Sequence, residues 1–495
     1  MNLLAKFNIG LLASVLFLTG CMVGPKYKNP GAPVTPAYKE QPPASYKEDK
    51  NWKQAQPNDG VLRGKWWEMY NDPVLNALEE QVSISNQNVL MYEAKYFQAR
   101  DAVKIARAAL FPTVSTSPAI TKSRSGGGNS SNANSQTSSF SRSGTSYDLP
   151  FNLSYTVDIW GSIRRTVNSN VALAQASAAQ LETARLSYQS ELAQDYFSLH
   201  GVDGDQDLLE RTVKDYEQYL DLTKARFDAG IASDSDVAQA EAQLEGARAS
   251  LIELGTARAQ LEHAIAVLTG KPPASLAIAR GVLTTPPPPV PVGVPSTLLE
   301  RRPDIAEFER QMAAANEQIG IATAAFYPTV TLGASAGLSS SSFTNWFTWP
   351  SRFWSVGPQL AETLFDAGKR RATVAEAQHG YDATVANYRQ TVLTAFQQVE
   401  DSLAALRVLE DEAAAEDRAV KAAERSLSVA TEQYKAGTAD YLQVLTAQNV
   451  AYGDQRAAID ILTRRMTSSV LLIEALGGGW NVSTLPARDQ ILSGK

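Results

Sequence analysis

A chain of 495 residues has room for two to four ordinary domains. Its 20% charged and 44% hydrophobic residues and net charge of −7 describe a folded protein with no basic excess for gripping nucleic acid. One cysteine, Cys21, excludes a disulfide framework. The histidines His200, His263 and His379 stand without carboxylate or thiol neighbours at ligand spacing, so neither a metal nor another cofactor is expected.

At the N-terminus Lys6 precedes an apolar run, Ile9 to Leu18, that ends Leu18-Thr19-Gly20-Cys21. This resembles a bacterial lipoprotein signal and its lipobox. The run is too short for a permanent bilayer span, and small residues precede the cysteine where a signal peptidase would cut. Residues 1–20 are therefore read as a removed signal peptide, and Cys21 as the lipidated N-terminus that anchors residues 21–75. Met22 follows, where enterobacterial lipoproteins retained in the inner membrane usually carry Asp. No other stretch reaches 18 apolar residues, so any membrane crossing must be made of strands.

The chain is internally duplicated. Ala108-Ala109-Leu110-Phe111-Pro112-Thr113-Val114 is echoed by Ala324-Ala325-Phe326-Tyr327-Pro328-Thr329-Val330, an offset of 216. Arg164-Arg165 then pairs with Arg370-Arg371 at offset 206, and Gly230 with Gly437 and Gly270 with Gly477 at 207. The length difference is confined to the stretch between Pro112 and Arg164, which suits a tolerant surface loop joined to rigid elements. The repeats are drawn at 76–270 and 304–477, with a Pro-rich linker at 271–303 and a C-terminal tail at 478–495. The linker holds six prolines between Thr285 and Pro295 and reads as an extended connector.

In the first repeat, Tyr147, Leu149, Phe151, Leu153, Tyr155 and Val157 alternate with Asp148, Pro150, Asn152, Ser154, Thr156 and Asp158. That is a period-2 strand with an apolar face bounded by tyrosines and a polar face opposite, as in a membrane β-barrel, although a soluble sandwich strand looks similar. Thr113 to about Lys122 is a weaker partner, and Ser123 to Ser146, rich in Ser, Gly and Asn, reads as an extracellular loop. The second repeat offers Val330, Leu332, Ala334, Ala336 and Leu338, then Trp354, Val356, Pro358 and Leu360, with hairpins expected at about 113–158 and 329–364. Four strands per chain cannot close a barrel, so the chain must oligomerise; two copies would give eight strands and three would give twelve.

From about Trp160 to Phe227 and from about Asp366 to Lys435 there is no proline, and each stretch can form one helix of roughly 100 Å. Leu209, Val213, Tyr216, Leu220, Thr223 and Phe227 follow 4-3 spacing, as do Val385, Tyr388, Val392, Ala395 and Val399, which is the seam of a coiled coil. Gly201 and Gly204 would weaken the first helix and suggest a bend or a repacked junction. Gly230 and Gly437 would end the long helices, and helices at about 232–268 and 438–475 follow, making antiparallel hairpins with exposed tips.

The chain also carries Gly24-Pro25-Lys26-Tyr27 with Pro30, Trp66-Trp67 with Asp72-Pro73-Val74-Leu75, Leu299-Glu300-Arg301-Arg302-Pro303-Asp304-Ile305, Ala313-Ala314-Ala315-Asn316, Gly320, and the ending Ala475 to Trp480. In their order and spacing, together with the duplication, these resemble the TolC superfamily, specifically the lipoprotein outer-membrane factors of RND-type tripartite efflux pumps. The resemblance implies a mainly α chain whose long coiled-coil helices form an α-barrel, with four strands per chain completing a twelve-stranded β-barrel in a homotrimer. It implies a passive exit duct rather than an enzyme, lipid-anchored in the outer membrane and extending into the periplasm, with a periplasmic adaptor protein and, through it, an inner-membrane RND pump as partners. Adaptor-binding tips would be Gly230, Ile231 and Ala232, and Gly437 and Thr438. Asp236, Tyr434, Leu442, Gln443 and Thr446 would form the periplasmic entrance; Gln443 and Thr446 stand where the best-known member has ring aspartates, and Ala439 where it has a latching arginine. A type I secretion outer-membrane component is the nearer alternative, although its members usually lack the lipobox and this ending. A lipid-anchored coiled-coil scaffold is the more distant one.

Overall fold

The computed structural model describes residues 22–43, 64–125, 142–293 and 295–493. The stretch read as a signal peptide, Cys21 and the middle of the Ser/Gly/Asn-rich stretch read as an extracellular loop lie outside the described residues. In chain order come α1 (Pro73–Ser85), α2 (Gln87–Ala108), strands β1 (Thr113–Thr116), β2 (Ala119–Ser125) and β3 (Arg142–Val157), α3 (Ser162–Asp228) and α4 (Asp234–Leu268). After the linker follow α5 (Leu298–Arg301), α6 (Pro303–Ala324), β4 (Thr329–Ser340), β5 (Arg352–Ala361), α7 (Lys369–Lys435), α8 (Tyr441–Ala475) and α9 (Arg488–Ser493). No described helix is long and apolar enough to cross a membrane.

Local chemistry sets the boundaries. Asp72 accepts from the backbone N–H groups of Val74 and Leu75 and starts α1, whose first residue is Pro73. Asn86 ends α1 and caps α2 in the same way. The long helices α3 and α7 have 67 residues each and their return helices α4 and α8 have 35 each, so the two copies match in length, about 100 Å out and half that back. Each long helix opens after a glycine at positive φ, Gly161 or Gly368. It is held there by an aspartate on the preceding segment: Asp158 accepts from the backbone and side chain of Arg164, and Asp366 does the same for Arg370. The Arg164 and Arg370 of the repeated sequence are thus equivalent clasps at the junction of strand and helix.

The largest core gathers Trp66, Trp67, Leu75 and Val82 from the N-terminal side against Leu192, Phe197 and Leu199 of α3, Val399 and Leu403 of α7, and Val470 and Ile473 of α8. Gly201 and Gly204, where a bend or a repacked junction is expected, lie within the continuous α3. A Cβ on Gly201 would collide with the Thr463 side chain of α8, and one on Gly204 would press on Ile459. Their cost in helix propensity therefore permits close approach of two helices.

His200 corrects the reading of isolated histidines, because Asp203 stands one turn on and its Oδ2 lies 3.3 Å from His200 Nδ1. The same nitrogen is 2.9 Å from the Gly281 carbonyl, Arg258 Nε donates to Asp203 Oδ1 at 2.7 Å, and the Gly281 N–H donates to Asp203 Oδ2 at 3.1 Å. The set fastens the linker to α3 and α4. Among the described residues no group of acids, histidines or cysteine is arranged to hold a metal ion.

Glu79 of α1 is fully buried, and neither carboxylate oxygen has a partner among the described residues. Burial pushes its carboxyl well above the usual range. Burial also raises Glu307 to about 7 and Asp195 to about 6. A raised acid keeps a native-state proton that the unfolded chain releases above about pH 4–5, so its stabilising effect is complete below that range and declines as pH rises. Glu79→Gln is expected to flatten the fall in urea-unfolding free energy between about pH 5 and pH 8. An unchanged slope would count against a neutral, buried acid.

Candidate membrane sheet and periplasmic entrance

The strands form one antiparallel sheet in the order β1-β3-β4-β5, with β2 also pairing with β3. β1 and β2 share one edge of β3, divided at Ser117-Pro118, so the single weak strand expected there is two segments. Proline lacks the N–H that a ladder needs, which accounts for the division and for its position on an edge strand. Both sheet edges are open within one chain, so the chain alone does not close a barrel.

The register sorts the side chains by chemistry. Leu149, Phe151, Leu153, Tyr155 and Val157 align with Leu338, Ala336, Ala334, Leu332 and Val330 of β4, Tyr147 aligns with Ser340, and Ala336, Ala334, Leu332 and Val330 align in turn with Trp354, Val356, Pro358 and Leu360 of β5. On this face Val114, Ile120, Phe151, Trp354, Val356 and Leu360 are each more than half exposed, a large uncovered apolar surface. The opposite face carries Asn152 bonded to Ser335 and Asp148 bonded to Ser339, together with Thr331, Gly333, Gly337 and Gln359.

Aromatic groups collect at both ends. Trp160 stacks on Tyr327 at 4.6 Å at the helix end, where Phe111 precedes β1 and Phe365 follows β5 in the chain, both exposed. Tyr147 meets Phe343 and Trp346 at 5.7 Å at the loop end. β4 has 12 residues, against the roughly 9–11 that a tilted strand needs to cross a bilayer.

The N-terminal segment starts at the helix end of the sheet. The Val23 N–H donates to the Trp160 carbonyl at 3.2 Å, and Met22 packs on Gly161. The segment then descends along the helices: Tyr27 donates to Glu309 at 2.6 Å, the backbone N–H groups of Lys39 and Glu40 donate to the Glu400 carboxylate at 2.7 and 2.8 Å, and Glu40 pairs with Arg407. The residues following Cys21 therefore stand where the strands meet the helices.

The far ends of the helical hairpins carry the expected tip residues. Gly230 and Gly437 adopt φ +73° and +75°, the left-handed region in which a side chain would be strained. The N–H groups of Ile231 and Ala232 return to the Arg226 carbonyl, and that of Thr438 to the Gln433 carbonyl, so both glycines end helices. Ile231 is two-thirds exposed, and Gly437 and Thr438 are both exposed at the other tip.

The five residues expected at the entrance divide into two groups. Asp236 is committed to a capping box with Ser233, and Tyr434 is buried, its hydroxyl 3.2 Å from Thr223 Oγ1. Leu442, Gln443 and Thr446 share an open groove of about 1140 Å³ between α7 and α8, with Val429, Val450, Lys421 and Arg425. The Thr446 hydroxyl bonds back to the Leu442 carbonyl at 2.8 Å, one turn earlier on α8. Sequence reasoning missed the α7 side of this groove; Val429 stands one residue out of register with the buried Ala423, Ala430 and Tyr434, which was the available signal. It also missed Arg226, which donates to the Tyr434 carbonyl and lies 4.4 Å over its ring. The repeats diverge here, because Phe227, the counterpart of buried Tyr434, is 43% exposed.

Comparison with known proteins gives a consistent result. The family model described as Outer membrane efflux protein matches residues 78–271 and 294–478. The Toluene efflux pump outer membrane protein TtgC of Pseudomonas putida is 30% identical over 491 residues, 98% of each chain. The Outer membrane protein OprJ of Pseudomonas aeruginosa is 30% identical over 478 residues, 96% of each. Among solved structures, the outer-membrane channel OprN superposes with a TM-score of 0.83 at 28% identity, covering 93% of this chain and all of the other. The Campylobacter jejuni CmeC outer membrane channel gives 0.85 at 22% identity over 96% and 98%, a likeness of fold.

Proposed function

The chain belongs to the outer membrane efflux protein family, and from that premise we propose that three copies assemble into a lipid-anchored exit duct. It is an outer-membrane channel component of an efflux pump. In the proposed assembly the open edges of three sheets join into a twelve-stranded barrel, with the apolar face toward lipid and the polar face toward water. The long hairpins extend into the periplasm as an α-barrel. The observation that carries this reading is the register-sorted sheet, exposed and apolar on one face, polar on the other, and unpaired at both edges.

Acylated Cys21 would enter the inner leaflet beside the strands, since Met22 and Val23 lie against Gly161 and Trp160. The Gly230–Ala232 and Gly437–Thr438 tips would meet the periplasmic adaptor, and through it an RND-type inner-membrane pump supplies the energy. Transport through the duct is passive: the entrance dilates and solute diffuses through a water-filled tube, with no bond chemistry in this subunit. Leu442, Gln443 and Thr446 would line the narrowest part of the entrance. Asp236 and Tyr434 contribute by holding the tip helices, because their polar groups are engaged within the chain.

The test is the mass of the purified acylated protein in detergent, followed by conductance in a planar bilayer. A trimer with small, rarely opening channels is expected. A monodisperse monomer, or a trimer that never conducts, would overturn the duct and favour a scaffold.

A further inference from the structure

Within the strands the apolar face carries charge only at the loop end; the exposed Glu362, one residue past β5 on the same alternation, lies at the helix end. On that face β2 presents Lys122 and Arg124, opposite Thr145 and Ser143 of β3, and β5 presents Arg352, opposite Leu338 of β4. All three lie at the protein surface. The only acid in the described strands, Asp148, lies on the polar face and accepts from Ser339 at 2.6 Å. The three cations stand at the loop end, beside the cluster of Tyr147, Phe343 and Trp346 and away from the helices. The Arg352 guanidinium lies 3.5 Å over the ring of Trp349, and Trp354 follows it on the same face.

In a barrel closed by copies of this chain, β5 of one protomer meets the β1–β2 edge of the next. Arg352 and the neighbouring protomer's equivalents of Lys122 and Arg124 then border one seam. The helices lie on the periplasmic side, so this seam faces the headgroups of the outer leaflet. Cations gathered at the rim of a lipid-facing apolar band, on a face where the described strands place no acid, draw an anion from the membrane. The outer leaflet of such membranes is built of glycolipid bearing phosphates on its sugar headgroup. Arginine recognises phosphate with two parallel hydrogen bonds, lysine adds a point charge, and a tryptophan ring such as Trp349 both orients the guanidinium and offers a flat surface to a sugar.

We infer that Lys122, Arg124 and Arg352 form a binding site for the phosphate groups of the outer-leaflet glycolipid, one site at each seam between protomers. The inference rests on the barrel reading above, and it adds a specific lipid partner on the outer wall of the duct, far from the transported solute.

The full acylated protein, assembled in discs of zwitterionic phospholipid, would be titrated with bis-phosphorylated lipid A, dephosphorylated lipid A and phosphatidylglycerol, with bound lipid read by native mass spectrometry. Phosphorylated lipid A is expected to bind at least about tenfold more tightly than the other two. The Lys122→Gln/Arg124→Gln/Arg352→Gln variant is expected to bind it no better than the dephosphorylated form, while Arg371→Gln, at the helix end, leaves binding unchanged. Equal binding of phosphatidylglycerol, or undiminished lipid A binding by a triple variant that still assembles, overturns the site. Should the triple variant fail to assemble, Arg352→Gln alone decides: a loss of about threefold is expected from one fewer charge-assisted contact, and no loss overturns the inference. Trimer mass and conductance of the wild type, recorded in the same preparation, report separately on the barrel itself.

Discussion

Arg165→Ala is expected to destabilise the chain by about 3–5 kcal/mol, since it removes one partner of a buried ion pair and leaves the other charge uncompensated. The Arg165 side chain is 3% exposed and its Nη1 donates to Glu317 Oε2 of α6 at 2.8 Å, with the Glu317 side chain 16% exposed. Nη2 donates to the Pro25 carbonyl at 3.2 Å, so the same guanidinium ties the N-terminal segment to α3 and α6. The surroundings are built to admit it. A Cβ on Gly320 would collide with the guanidinium, and one on Gly24 would collide with Gly320.

Urea unfolding followed by far-UV circular dichroism would measure the loss. Gly320→Ala should reproduce much of it, because the buried arginine has little room to retreat. Arg165→Leu combined with Glu317→Leu should recover most of the loss, because apolar replacement of a whole buried pair is often neutral. A cost below about 1 kcal/mol for Arg165→Ala would mean that the pair is solvated and does not clamp the segment.

The contrast between this clamp and the sheet shows what the sequence could and could not reveal. Alternation in Tyr147 to Val157 and in Val330 to Leu338 is local: a period of two states which residues share a face before any partner is known. The repeated Phe-Pro-Thr-Val and Tyr-Pro-Thr-Val sequences and the glycines at 230 and 437 are equally readable, because turn and cap chemistry acts over a few residues. Arg165 with Glu317, or Tyr27 with Glu309, joins positions 152 and 282 apart, and no periodicity encodes such a pair. Gly201 looks like a weak point in the sequence for the same reason: the residue that needs its missing Cβ, Thr463, belongs to a distant helix. Asp236 and Tyr434 show a further limit. A matched position conveys what relatives do there, whereas the capping box with Ser233 and the contact with Thr223 show where this chain has engaged those groups.

Thr446→Asp is expected to make a weakly cation-sensitive duct strongly cation-blockable. The native groove around Thr446 is neutral to basic, with Gln443 beside it and Lys421 and Arg425 on the facing helix; Asp440 is its only acid and accepts from the Gln443 N–H as the cap of α8. Threefold assembly with this groove toward the axis would bring three introduced carboxylates together. Their summed attraction for a trivalent cation grows with each charge and with the lower dielectric of a narrow entrance. Lys421 and Arg425 would offset part of that attraction, so the half-blocking concentration of hexamminecobalt added on the periplasmic side should fall by about tenfold, or about 1.4 kcal/mol, rather than by several decades. Adding Lys421→Gln and Arg425→Gln to Thr446→Asp should therefore deepen the block, a dependence that a carboxylate remote from this groove would not show. Block should weaken as ionic strength rises, since salt screens converging surface charges. If Thr446→Asp assembles and conducts as wild type with no change in block, Thr446 faces away from the axis and the constriction must be sought among other residues of the tips.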